Sequence, residues 1–408
     1  MTDVLVAPTG SPLAAPIAAD TRDSMPDLAR AIAVFGIVMV NVAVFARPLA
    51  TQFYGEGLKS AADQIALFIS TGFFAAKSYS LFSIMFGAGL GYQMLSAQRR
   101  DVAFGAQYAR RMVGLFVLGL LHVTFAFMGD ILLVYAVLGG VLFAFRDVSV
   151  KALKITAICF IVAPIVLTLL GAGVMAILAM AVPEVLEEIN AAVATMMPDT
   201  SHIYRSSDFV AIAGQRWKDW AAINQSAGFV QYTGVMGYFL AGYAMLKAGV
   251  MSDADAPLWS KSRRLYLPLG LAITLPGAWM AATASSQFDP GALIGMALVM
   301  LGAPLQTLGY LGLVAAWAKR PRGALTRFLA RAGTATLSAY LLQSIVLSFV
   351  FCGYGLGLYG TLGAAQSIAI AAATGLFSII AMSLWRARFA RGPFEWALRR
   401  FTYLGQRT

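Results

Sequence analysis

Charge is scarce in this 408-residue chain. Asp, Glu, Lys and Arg make up 12% of it against 59% hydrophobic residues, and the mean hydropathy is +0.74. That is too little polar surface to cover a water-soluble body of this size, which excludes a soluble globular fold and leaves a polytopic membrane protein. Acidic residues are scarcer still, 19 against 30 basic ones, for a formal charge of +11. The basic residues fall in short clusters between apolar runs, a topology signal and not a nucleic-acid face. Cysteine is nearly missing. Cys159 and Cys352 lie in or beside runs assigned to opposite faces, which argues against a bridge, and neither has neighbours at metal-ligand spacing, so no metal is expected. Histidine occurs twice. His202 sits in an acidic stretch and reads as solvated, whereas His122 lies inside an apolar run.

What is there is a series of apolar runs long enough to cross roughly 30 Å of hydrocarbon at about 1.5 Å per residue. Ten qualify: 28–46, 78–96, 110–128, 130–146, 154–181, 229–248, 264–284, 291–318, 328–351 and 361–385. The expected fold is all-α, a polytopic integral membrane protein with about ten transmembrane helices in residues 28–385. Arg99, Arg100, Arg110, Arg111, Arg146, Lys151, Lys154, Lys247, Lys261, Arg263, Arg264 and the arginines from Lys319 to Arg331 all fall on one side. Only Arg47, Lys59, Arg205, Arg216 and Lys218 fall on the other, so the positive-inside rule makes both termini cytoplasmic. Residues 1–27 read as a disordered tail. Residues 182–228 read as amphipathic helices at the outer interface, 61–76 as an interfacial or re-entrant piece, and 386–408 as a basic amphipathic C-terminal segment. Gly87 and Gly91 in "FGAGLG" form a small-xxx-small packing face.

A charge at mid-bilayer costs about 2.5–3.5 kcal/mol, so polar residues inside the runs are candidates for function. His122 follows Arg111 by eleven residues, about 16 Å along a helix. The short turn after it puts Tyr135 at equal depth, so a His122–Tyr135 contact is expected. The imidazole is either a packing group satisfied there or a general base. Asp130 precedes "ILLVYAVL" at a helix N-terminus, where a carboxylate caps orphan N–H groups and can also orient an imidazole. Lys77 falls near the same mouth, as a snorkelling cation or an anion contact. Asn41 sits at a depth comparable to His122, and Gln343 lies within "LSAYLLQSI"; such amides join helices or touch substrate.

The stretches "DLARAIAVFGIVMVN", "KSYSLFSIMFGAGL", "RRMVGLFVLGLLH", "GDILLVYAVLG", "LSAYLLQS" and "RGPFEWALRRFTY" occur in order across residues 27–403. Together they resemble the YeiB-type bacterial membrane protein family, the domain of unknown function 418. That family is similar to a larger group of transmembrane acyltransferases, including bacterial sugar O-acyltransferases and the lysosomal heparan-glucosaminide N-acetyltransferase. Those relatives carry an arginine and, after ten intervening residues, a polar side chain at the active site; Arg30 and Asn41 reproduce the spacing. The O-acyltransferases have histidine at the second position and the heparan enzyme asparagine, with its histidine a little downstream. Here the next histidine is His122.

The resemblance implies a multi-pass protein of the bacterial inner membrane. It would move an acyl group from a cytoplasmic acyl-CoA donor to a cell-envelope glycan or lipid. In that reading Arg30, Arg110 and Arg111 meet the donor phosphates, His122 is the base, and Asp130 orients it or binds acceptor. Asn41 or Lys77 stabilises the oxyanion, and Tyr135 and Gln343 line the pocket. The other expectations are a small-molecule transporter whose His122 and Asp130 relay protons, and an accessory or sensor protein without turnover. The partner expected in every case is the lipid bilayer, with no nucleic acid; an oligomeric state does not follow from the sequence.

Overall fold

The computed structural model describes residues 24–49, 60–98, 104–182, 184, 188, 191–192, 199–284 and 289–404. Among these the regular structure is all helix, with no strand. Helix α1 (Met25–Ala46) is followed by α2 (Ala61–Ile69), a π turn (Ser70–Phe74) and α3 (Lys77–Gln98). A hairpin of α4 (Phe104–Phe125) and α5 (Leu132–Ala144) precedes the long α6 (Val150–Ala181) and the single turn α7 (Ser201–Tyr204). Then α8 (Phe209–Lys247) leads through α9 (Pro257–Lys261) and a second π turn (Ser262–Tyr266) to α10 (Leu267–Thr283). The chain closes with α11 (Pro290–Ala318), α12 (Ala324–Gly333), α13 (Thr336–Phe351), α14 (Ala364–Arg388) and α15 (Pro393–Thr402).

Polar side chains set the starts of several of these helices. Asp208 accepts from Val210 N and Ala211 N at 2.9 and 3.0 Å to open α8. Asp289 accepts from Gly291 N at 2.7 Å, with Pro290 at the first position of α11, where its missing N–H removes no bond. Two caps come from distant sequence. Asp63 of α2 accepts from Ala365 N at 2.8 Å at the start of α14. Glu395 of α15 accepts from Leu337 N at 2.7 Å and Ser338 N at 3.2 Å, so the C-terminal helix satisfies the donors that α13 exposes at its beginning.

All ten apolar segments are helical. Among the described residues, seven helices are long and apolar enough to cross a membrane, with α2 and α3 counted as one stretch and α9 and α10 as another. An eighth arises if α12 and α13, bent by 79° at their junction, make one broken span; α5 is shorter. Helix α6 is apolar all round and largely exposed, with Ile158 60%, Leu170 62% and Ile177 66% accessible. A helix of that kind is soluble only in hydrocarbon, so the fold is that of a multi-pass membrane protein.

Two expected boundaries are corrected. Helix α1 begins at Met25, whose side chain is buried, so residues 24–27 belong to the bundle; most of the expected tail lies outside the described residues. The segment 182–228 is not a free interfacial layer. From Phe209 it is the first half of the 39-residue α8, which runs unbroken into the apolar part. Arg216 is buried there, donating to Ser348 Oγ at 2.6 Å, Tyr354 Oη at 2.8 Å and Thr124 O at 3.3 Å. It clamps α8 to α4 and to the end of α13. Of the remainder, residues 199–208 carry the single turn α7, and much of 183–198 lies outside the described residues. Cys159 and Cys352 are both free.

Helix α8 lies along both α3 and α6, α10 along α11, α1 along α14, and α4 along α5. The α3–α8 crossing is unusually close. A Cβ on Gly87 would stand 1.9 Å from Phe239 O, and one on Gly242 1.9 Å from Ile84 O. Gly91, one turn on, meets the Leu246 side chain in the same way, so the expected small-residue face of α3 is the face that seats α8.

Candidate functional site

Two cavities enter the bundle from opposite ends and share a wall. The first, about 470 Å³, opens at the end that carries the basic clusters. It is lined by Arg30, Arg111, Arg386, Arg391 and Arg399, with Glu395 as its one carboxylate among the described residues. The second, about 310 Å³, opens at the other end between α1, α3, α5 and α8. Among the described residues its polar lining is Asn41, Ser78, Tyr79, Asp130, Asn224, Gln231 and Tyr232, with no cation. Ile37 and Ile131 line both cavities.

His122 and Asp130 stand beside this wall. His122 sits near the end of α4, and the chain then turns through Phe127 and Gly129 so that Asp130 reaches back to it. His122 Nδ1 lies 2.7 Å from Asp130 Oδ1, while Asp130 Oδ2 accepts from Leu133 N at 2.8 Å. One carboxylate therefore caps α5 and fixes the imidazole, with both side chains at most 1% exposed. Gly119, one turn before His122, makes this possible. A Cβ there would stand 2.7 Å from Leu133 N and 3.0 Å from Asp130 Oδ2. An ionised carboxylate only accepts, so it places the ring proton on Nδ1 and leaves the lone pair on Nε2. Nε2 makes no hydrogen bond to the described residues.

The ring of Tyr340, on α13, has its centroid 5.0 Å from the imidazole, and Phe127 lies 6.0 Å away on another side. Tyr340 lines the basic-end cavity and Phe127 the other, so the imidazole stands behind one aromatic ring on each side. At the mouth of the second cavity Ala76 holds φ +63°, a left-handed conformation in which a non-glycine residue is strained.

The remaining expected site residues are distributed differently. Asn41 lines the second cavity, and Arg30, paired with Asp27 at 3.1 Å, lines the basic one. Tyr135 is not the partner of His122. Its hydroxyl lies 2.6 Å from Ser83 Oγ on α3, because its side chain leaves α5 toward α3 and α8 and packs against Phe86 and Phe239. Lys77 is not at a mouth but fully buried, and its Nζ donates to Thr71 O at 2.8 Å, satisfying a carbonyl of the π turn. Gln343 lines neither cavity. It donates to Val34 O at 3.2 Å and to Ser378 Oγ at 2.8 Å, tying α13 to α1 and α14. Arg110 donates to Leu404 O at 2.9 Å, whereas Arg111 does line the basic cavity.

Three contributions escaped sequence reasoning. Tyr340 stands three residues before Gln343 in "LSAYLLQS", where an aromatic in an apolar helix gives no signal of its own. Asn224 and Gln231 are seven apart, a polar stripe two turns long that was legible on α8. The acidic character of 182–228 hid it by suggesting a surface layer.

The family model described as protein of unknown function (DUF418) matches residues 245–405. That stretch holds Tyr340, Gln343 and Glu395, while His122, Asp130 and Asn41 precede it. Two relatives align over nearly the whole chain. "Uncharacterized protein YxaH" of Bacillus subtilis (strain 168) is 31% identical over 412 residues, covering 95% of this chain and 96% of its own length. "Uncharacterized protein YeiB" of Escherichia coli (strain K12) is 27% identical over 398 residues, covering 93% and 96%. No solved structure matches.

Proposed function

The chain belongs to the YeiB-type DUF418 family, and from that premise we propose that it is a membrane-bound acyltransferase. The donor is an acyl-CoA thioester reaching the basic cavity, and the acceptor is a hydroxyl or amine of an envelope glycan or lipid in the second cavity. The observation that carries this reading is the His122–Asp130 pair beside the wall that the two cavities share. Arg30 and Arg111 suit donor phosphates, since a guanidinium presents a fixed fork of donors. Asn41 and the amides of α8 suit a neutral acceptor.

In the reaction, Nε2 of His122 takes the proton of the acceptor as its oxygen or nitrogen bonds to the thioester carbon. The C–S bond then breaks, and the proton passes from the imidazolium to the leaving thiolate. Asp130 stabilises the imidazolium and keeps its tautomer, the division of labour of an Asp–His pair in acyl transfer. The Tyr340 or Phe127 ring has to turn for Nε2 to meet substrate. Lys77, spent on a backbone carbonyl, has no part in oxyanion stabilisation.

The orientation belongs to the same proposal: ten crossings of the bacterial inner membrane, both termini in the cytoplasm, and the basic cavity facing the acyl-CoA pool. Single cysteines placed at Arg205 are expected to react with an impermeant thiol reagent from outside, and those at Lys261 or Arg322 only after permeabilisation. The reverse pattern would overturn the orientation.

The reaction itself is tested by thiol release from acyl-CoA by the purified protein, together with mass spectrometry of envelope lipids and glycans from cells with and without it. Thiol release and an acyl increment confined to cells that have the protein are expected. Two cavities meeting at a wall beside a protonatable pair are also the layout of a proton-coupled exporter. Counter-flow into proteoliposomes without thiol release would replace the enzyme reading by that one.

A further inference from the structure

The C-terminal motif "RGPFEWALRRFTY" lines the basic cavity with one face and builds a third concavity with another. Helix α15 turns Leu398 and Thr402 into the bundle and leaves Trp396, Ala397 and Arg400 exposed. Between that outer face and the end of α14 runs an apolar groove of about 490 Å³. Trp385 and Phe389 stack at 4.3 Å along it, and Trp396 and Phe394 complete its aromatic lining. The turn that closes it is pinned by Trp385 Nε1 donating to Arg391 O at 2.9 Å. Phe389 and Trp396 are 51% and 53% exposed, so the groove is open to whatever surrounds the bundle at its basic end.

The charge around it is one-sided. Residues 386–404 contain five arginines and one acidic residue, Glu395, and the Glu395 carboxylate is engaged by the N–H groups that open α13. Arg391 lies at the lip where the apolar groove and the basic cavity adjoin. Burial first, and then the nearby Arg399 and Arg386, bring its guanidinium below the ordinary arginine range. Arg400 lies over the Trp396 ring at 5.2 Å, which places a second cation on the groove's wall.

An exposed aromatic trough edged by Arg391 and Arg400 matches one chemistry, a hydrocarbon chain ending in a phosphate. We infer that this groove is a binding site for an anionic phospholipid of the leaflet at the basic end. One acyl chain lies along Trp385, Phe389 and Trp396, and the phosphodiester rests on Arg391 and Arg400. Basic pockets of this kind favour anionic headgroups, each arginine near the surface contributing about 1 kcal/mol, or roughly fivefold. The site differs from a general lipid annulus in demanding both parts at once.

The test uses the full-length protein in phosphatidylcholine vesicles carrying a minor fraction of either chain-brominated phosphatidylglycerol or chain-brominated phosphatidylcholine. Bromine quenches tryptophan only on contact, and the groove's share is the quenching lost in Trp385→Phe and Trp396→Phe. Half-quenching by the anionic lipid is expected at a mole fraction roughly 25-fold lower than by the zwitterionic one, about fivefold for each of the two arginines. In Arg391→Gln/Arg400→Gln that preference is expected to vanish while chain contact persists. Equal quenching by the two lipids in the wild type would reduce the groove to annular contact and overturn the proposal. So would a preference unchanged in the double variant, or one abolished by inorganic phosphate but not by chloride of equal ionic strength, which would mark a free-anion site. The wild-type comparison decides the matter even if the double variant does not fold.

Discussion

His122→Asn is expected to lower acyl transfer per folded molecule by about 10²–10⁴-fold, the usual contribution of a positioned base, while the protein folds close to wild type. Asparagine can place an N–H donor where Nδ1 was, so the Asp130 carboxylate keeps a partner, but it has no counterpart of Nε2. His122→Ala is expected to lose the same activity and, in addition, thermal stability. It leaves Asp130 Oδ1 buried without its partner, a defect worth about 1–3 kcal/mol. The pair of variants separates two roles that one substitution would confuse. If the imidazole only holds α4 to α5, asparagine restores function and alanine reduces the amount of folded protein. Wild-type specific activity in purified His122→Asn would therefore end the base assignment and leave the pair a structural one.

The second large effect concerns folding. Gly87→Ala and Gly242→Ala are each expected to destabilise the bundle severely, and Gly87→Val to prevent its recovery as a folded monodisperse species. The added Cβ meets a backbone carbonyl at 1.9 Å in both places, and a backbone cannot turn aside as a flexible side chain does. Relief requires α3 and α8 to separate along their whole crossing, so the cost exceeds the about 1–3 kcal/mol of ordinary overpacking. Gly171→Ala and Gly173→Ala on α6 are the controls. Nothing lies within 4 Å of either added Cβ, so they are expected to be neutral or to stabilise by up to about 1 kcal/mol through helix propensity. Thermal unfolding in detergent, followed by size-exclusion profiles, reads all five. Equal behaviour of the α3 and α6 variants would contradict the close crossing.

The α3–α8 crossing shows how much of the fold was already written in short stretches. Gly87 and Gly91 stand four apart in an apolar helix, and that spacing alone marks a face made for another helix. It does not say which helix, because Gly242, 155 residues later, is the other half of the contact. Asp130 was legible for the same local reason, as a carboxylate at the head of an apolar run, and its bond to Leu133 N is that cap. Arg216 was not. In sequence it is one more charge in a polar segment, and only the return of α13 beside α8 supplies the hydroxyls that let a guanidinium be buried.

By itself the sequence determined that this protein is helical, lipid-embedded and multi-pass, and that His122 and Asp130 lie at the same end of a hairpin. Those properties depend on composition and on distance along the chain, and the rise per residue converts position into depth. Depth misled in the case of Tyr135, which shares the level of His122 but points from the hairpin toward Ser83 on α3. The side chains that face one another were decided by tertiary structure alone: Tyr340 against the imidazole, Lys77 turned onto a carbonyl, Gln343 withdrawn between three helices, and two cavities ending at Ile37 and Ile131. The direction a side chain takes around a helix axis becomes a contact only when another surface packs there. Packing is chosen by the fit of whole helix faces, some of them hundreds of residues apart, and no local stretch contains it.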